Sequence, residues 1–291
     1  MFTKNNKPLS PLKSLQAGVS LVKTAPVIFI PFLIFAAVEA LALWFIYLLP
    51  RPPLVIVFGP IIRTFWDEQF LHYPLNFILL PKLASNSRMV LSVILGSLLT
   101  GVAVFLTAAA GERKGLKFSA AFKTVGKKYL ALFIAILVMA AGFHFSSKLL
   151  FIFLIKYFSA GGHIRLLFIP GQLWVGPIYA AVSFVLGLII QSAFIYAVPA
   201  LVLDNKKLIP ALGASIKFFG RFFIPTLIMV GVPMLLYIPL MVINMNTALL
   251  ILKFFPEAVL LVLFLEIIVT ALVIDPLLTL ATTLYYLEKK K

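Results

Sequence analysis

Residues 25–49 form an apolar stretch whose single charged side chain is Glu39. Comparable stretches recur at 88–110, 129–146, 174–203, 223–245 and 257–284. A hydrocarbon core about 30 Å thick is crossed by about 20 apolar residues in a helix, whereas a membrane strand needs only about 9–11. Backbone N–H and C=O groups find no water there, so a segment of this length satisfies them internally as an α-helix. The expectation is an all-α membrane protein: a single polytopic domain over 1–291 with six transmembrane helices. The first span is expected to stay uncleaved, because no small-residue cleavage site follows it. The third is the shortest, and its apolar run continues past 142–147 to Phe158, which predicts a bend there and an interfacial ending.

Composition supports lipid as the solvent. The chain is 63% hydrophobic and 12% charged, against about 45–50% and about 25% in soluble domains. Its 19 Pro and 16 Gly are tolerable in membrane helices, where neighbouring helices re-satisfy freed backbone groups. With no Cys, disulfides, thiolate nucleophiles and Cys-ligated metals are excluded. The net charge is +16, but the basic residues flank the apolar runs instead of forming one basic domain. That pattern points to membrane lipids with anionic headgroups as partners, not to nucleic acid. Arg51, Arg63, Lys82, Arg88, Lys148, Lys156, Arg165 and Lys253 fall on one side. The larger remainder of the 25 Lys and Arg falls on the other, which predicts cytoplasmic N- and C-termini.

Each cytoplasmic segment before an odd-numbered span has a helical apolar stripe with Lys or Arg off it. Leu12, Leu15, Val19 and Val22 form the first, with Ser10 as N-cap and Pro11 at the first helical position. Phe118, Phe122, Val125 and Tyr129 form the second. Leu212, Ile216, Phe219 and Phe223 form the third. Such helices lie in the membrane interface, and Pro26 and Pro225 favour a break before the span. The chain therefore reads as three pseudo-repeats, approximately 10–110, 117–203 and 208–288, each opened by a cytoplasmic amphipathic interfacial helix. Lys23, Lys123, Lys127, Lys128, Lys217 and Arg221 are the expected lipid-headgroup contacts. Residues 50–87 are interrupted by Pro50, Pro52, Pro53, Pro60, Pro74 and Pro81, and read as one or two short interfacial or re-entrant helices.

Segments such as "LIPALGASIKFFGRFF" entering a span, six spans in all, and the closing "PLLTLATTLYYLE" resemble poorly characterised bacterial six-span membrane families. One is the membrane domain attached to some glycerophosphodiester phosphodiesterases. The resemblance implies an integral protein of a prokaryotic inner (cytoplasmic) membrane. It implies no catalytic residue, since the phosphodiesterase domain is missing here.

Ionisable groups inside spans cost several kcal/mol unless paired or hydrated, so they are the functional leads. Glu39, His144, Tyr237 and Glu266 fall at similar depth and form the candidate intramembrane polar cluster, able to relay protons or to bind a cation or headgroup. Asp275 stands about 180° from Glu266 on an ideal helix and is expected to pair with a cytoplasmic-side Lys or cap a kinked segment. Ser92, Gly96 and Thr100, and likewise Ser183, Gly187 and Gln191, form small-residue stripes suited to helix packing. Gly231, Pro233 and Pro239 should kink the fifth span. No nucleotide-binding P-loop, H-E-x-x-H or G-x-S-x-G motif occurs, and three dispersed His without Cys predict no metal site. No cofactor or catalytic residue is expected. The open function classes are transport or lipid handling, a structural or accessory subunit binding anionic lipid or a partner protein, and, last, an intramembrane lipid-modifying enzyme.

Overall fold

The computed structural model describes residues 10–111, 117–160 and 171–290. Every regular element among them is helical. Six helical segments are long and apolar enough to cross a membrane: Pro26–Leu48, Asn76–Gly111, Tyr129–Tyr157, Val175–Val202, Phe223–Met245 and Ala258–Lys289. The protein is a multi-pass membrane protein. The turn expected at 159–165 falls, beyond Ala160, outside the described residues.

Two span boundaries differ from expectation. The second span begins at Asn76, because Pro81 is absorbed into a continuous helix. At about 1.5 Å per residue, its 36 residues extend about 54 Å, well beyond one hydrocarbon core. Within 50–87 only Leu54–Phe65 and the short turn Glu68–Leu71 are separate helices. The third span is not interrupted at 142–147: Tyr129–Ala160 is one continuous helix. A lone Gly142 keeps its N–H and so cannot break a helix as Pro does. The fifth span does break. A 3-10 turn at Leu235–Tyr237 separates Phe223–Met234 from Ile238–Met245, between Pro233 and the N–H-less Pro239.

Three short helices precede the odd-numbered spans at Pro11–Thr24, Phe118–Gly126 and Leu208–Arg221. Each is separated from its span. Ala25 leaves helical geometry before Pro26, the Lys127–Lys128 turn follows Gly126, and Phe222 leaves helical geometry before Phe223. Ser10 Oγ accepts the Lys13 N–H at 3.4 Å, and Pro11 opens the first helix.

Of the apolar stripes expected to face the acyl chains, Leu12, Val19, Phe122 and Ile216 are exposed, while Leu15 and Val125 turn to the protein. The first helix buries Ser14, Leu15 and Gly18, while Leu12 and Val19 are exposed. The second buries Ala121 and Val125 and exposes Phe122; the third buries Ala211 and Ser215 and exposes Ile209 and Ile216. Small residues dock because they let helices approach closely. A Cβ on Gly18 would meet Leu280 Cβ at 3.2 Å, and Ser215 Oγ donates to Ala193 O at 2.7 Å. The second helix docks on the end of the second span, the third on the end of the fourth, and the first on the end of the sixth.

The main core lies at this end, called here the basic end. Ile28, Val102, Leu106, Tyr196, Met229 and Leu280 belong to it. Polar ties reinforce it: Tyr196 bonds Thr226 at 2.9 Å, and Tyr286 donates to Asp204 at 2.8 Å. Towards the far end the first, second and sixth spans stay together through Leu43, Phe77, Leu80, Val259 and Leu263. The third and fourth spans pair chiefly with each other there.

Candidate functional site

The far half of the first, second, fifth and sixth spans encloses a cavity of about 180 Å³. Its polar wall is Glu39, Arg88, Tyr237, Asn244 and Glu266; Leu43, Ile46, Leu263 and Ile267 form the apolar wall. Glu39 enters from the first span. Arg88 enters from the second, carried inward because that helix already began at Asn76. Tyr237 closes the 3-10 turn that the flanking prolines impose on the fifth span, and Asn244 follows two helical turns later.

Arg88 joins the carboxylates. Its Nε lies 3.1 Å from Glu39 Oε1 and its Nη1 3.5 Å from Glu266 Oε1. Glu266 is well supplied with donors: Tyr237 OH donates to Oε1 at 3.1 Å and Asn244 Nδ2 to Oε2 at 2.7 Å. Glu39 is not. Its side chain is 2% exposed, Oε1 faces Arg88 without hydrogen-bond alignment, and Oε2 has no partner among the described residues. Arg88 and Glu266 keep 24% and 14% of their side-chain surfaces accessible, so these two border space that a small molecule can enter, whereas both Glu39 oxygens are covered until that side chain turns. The cluster holds an ion pair and a surplus carboxylate, and can accept a cationic hydrogen-bond donor.

A second cavity of about 210 Å³ lies towards the basic end, lined among others by Ser92, Gly96, Thr100, Gln191, Asp275 and Thr279. The small-residue stripes thus contribute to a cavity wall as well as to packing: a Cβ on Gly96 would meet Phe35 at 3.3 Å. Asp275 is not paired with a cytoplasmic-side Lys among the described residues. It lines this cavity and lies within electrostatic range of Arg88. The reason is a π-helical turn at Thr270–Ile274. It removes about 100° of the rotation that an ideal helix places between Glu266 and Asp275.

Of the four residues expected to cluster, Glu39, Tyr237 and Glu266 line one cavity, and His144 does not. His144 is exposed on the third span, beside the Phe145 ring. Depth along the helix is similar, but the far half of the third span stands outside the four-span group. Arg88 and Asn244 were missed. Arg88 looked like a loop cation because Pro81 interrupts the apolar run. Asn244 was the readable signal: a lone amide within a span needs a partner.

Among the expected headgroup contacts, Lys23, Lys123, Lys127, Lys217 and Arg221 are exposed. Lys128 departs from that set. Its Nζ donates to Leu201 O at 2.9 Å and Val202 O at 3.0 Å, capping the end of the fourth span. Removal from water pulls its pKa below the usual lysine value. No group of three or more metal-ligating side chains converges among the described residues.

The resemblance to the phosphodiesterase-linked membrane domain gains no support from known proteins, and no residue role rests on it. Compared with protein families, curated proteins and solved structures, the chain matches none.

Proposed function

We propose that this protein serves transport or lipid handling in a prokaryotic inner membrane, with both termini cytoplasmic and an interior site for a small polar group. The observation that carries this reading is Glu39: a carboxylate 2% exposed in its side chain, with an Oε2 that has no partner among the described residues, on the wall of a cavity of about 180 Å³. An intramembrane carboxylate without full compensation costs several kcal/mol, and a bound group supplying the missing donor would offset that cost.

The basic helices fit the same reading as in-plane elements. Each has a small-residue face on the bundle, large apolar side chains exposed for acyl chains, and exposed Lys or Arg for anionic headgroups. Three pseudo-repeats are supported by the docking pattern, in which the first helix takes the sixth span as the later two take the second and fourth. A second reading, an accessory subunit, is favoured by the third and fourth spans, each with an apolar 18-residue stretch of which only 17% and 6% is buried. Their bare faces suit a partner's helices as well as lipid.

Native mass spectrometry of the protein extracted in membrane discs, followed by flux or lipid-transfer assays in vesicles, separates the two. The interior-site reading expects a co-purifying polar molecule whose occupancy falls in Glu39→Gln and Arg88→Gln. Wild-type and variant preparations with the same bound species and no flux or transfer would favour the accessory role.

A further inference from the structure

We propose that the cavity bounded by Glu39, Arg88, Asn244 and Glu266 takes a primary ammonium group from a molecule that also presents an anionic oxygen. The proposal rests on the interior-site reading and names its ligand chemistry.

The two carboxylates are unequal. Glu266 receives donors from Tyr237, Asn244 and Arg88, whereas Glu39 Oε2 receives none among the described residues. An ionised carboxylate only accepts hydrogen bonds, so the complementary group is a donor. Charge narrows it further. Glu39 and Glu266 face one guanidinium, and Asp275 lies within electrostatic range of that same guanidinium. With both glutamates ionised, Arg88 balances one of them; an ammonium would balance the other, and a neutral hydroxyl would not. A metal ion fits less well, because no three of the described His, Asp or Glu side chains converge there.

Arg88 supplies the other half. A guanidinium has five N–H donors, and 24% of this side chain remains accessible, so it can engage a phosphate or carboxylate oxygen of the same molecule. The volume, about 180 Å³, is many times the roughly 10–15 Å³ that a single water needs. Leu43, Ile46, Leu263 and Ile267 provide an apolar side for intervening methylenes. Both a phosphoethanolamine lipid headgroup and a free compact zwitterion satisfy these terms. A trimethylammonium group does not, because it has no N–H to give Glu39.

The test uses the full chain in discs of phosphatidylcholine, whose headgroup has no N–H donor. Free phosphoethanolamine and free phosphocholine are titrated separately, and in a parallel arm phosphatidylethanolamine replaces part of the disc lipid. Thermal midpoint and adducts in native mass spectra are read. The ammonium probe should bind at least ~10-fold more tightly than its choline counterpart, as expected when a charged site loses its hydrogen-bond partner. Glu39→Gln should erase that preference, and His144→Phe should keep it. Preference in the lipid arm alone identifies a membrane headgroup; preference for the free probe identifies a soluble zwitterion. Equal binding of both probes, or a preference that survives Glu39→Gln, overturns the ammonium assignment but leaves an interior site. If neither probe binds and no polar molecule co-purifies, both readings fall.

Discussion

The far halves of two span groups solve the membrane problem differently. The first, second, fifth and sixth spans surround Arg88, two carboxylates, a tyrosine and an asparagine. The third and fourth spans each have an apolar 18-residue stretch of which only 17% and 6% is buried, and they present Phe145, Leu149, Phe153 and Val185 outward. Their apolar faces require nothing from the protein, because lipid solvates them. The charged interior requires each neighbour in place. A substitution should therefore be felt strongly in one group and little in the other.

The largest effect should come from Arg88→Met. Removing one partner of a sheltered ion pair typically costs about 3–5 kcal/mol. The thermal midpoint in detergent should fall sharply, and adding Glu39→Gln and Glu266→Gln should recover part of it. Lys148→Met, on an exposed position of the third span, is the matched control and should leave the midpoint unchanged.

Glycine sharpens the contrast next. A Cβ on Gly101 would lie 2.7 Å from Val125 and 2.9 Å from Leu132, whereas nothing lies within 4 Å of one on Gly142. Gly101→Ala should destabilise by about 1–3 kcal/mol through overpacking. Gly142→Ala should be neutral or stabilise by up to about 1 kcal/mol, since alanine loses less backbone entropy in a helix. Thermal melts of the two variants side by side decide this. Equal costs would remove the distinction between the regions.

Lys128 joins the groups at the basic end. Lys128→Met strips a charged donor from the Leu201 and Val202 carbonyls and should cost about 1–2 kcal/mol. Hydrogen exchange at the end of the fourth span should rise locally. The smallest effect belongs to His144→Leu, which should stay within about 0.5 kcal/mol and leave ligand occupancy unchanged by native mass spectrometry.

Apolar length alone made the six crossings legible, because backbone in hydrocarbon has few alternatives. The separate basic helices were legible from stripe spacing and the prolines. Their docking face was not: Leu12 and Val19 were read as facing the acyl chains and are exposed, but nothing marked Ser14 and Gly18 as the residues that make the contact. In lipid, a large apolar residue gains little by turning inward, and close approach favours small ones. The depth of Glu39, Tyr237 and Glu266 could be counted along the chain. The exclusion of His144 could not, since depth says nothing about which spans associate laterally. Arg88 was hidden by Pro81, and Asp275 by a π turn that no residue class marks.

The central claim is that a charged, ligand-accessible cavity lies among four spans and that the far half of the other two faces lipid. The chain has no cysteine, so single cysteines can be read without background. Ser87→Cys on the cavity wall and Phe145→Cys on the exposed far half of the third span should be treated with a small hydrophilic thiol reagent in membranes. The account predicts that Ser87→Cys reacts and is protected by the ligand, while Phe145→Cys stays unmodified. Rapid labelling of Phe145→Cys with no reaction at Ser87→Cys would contradict it.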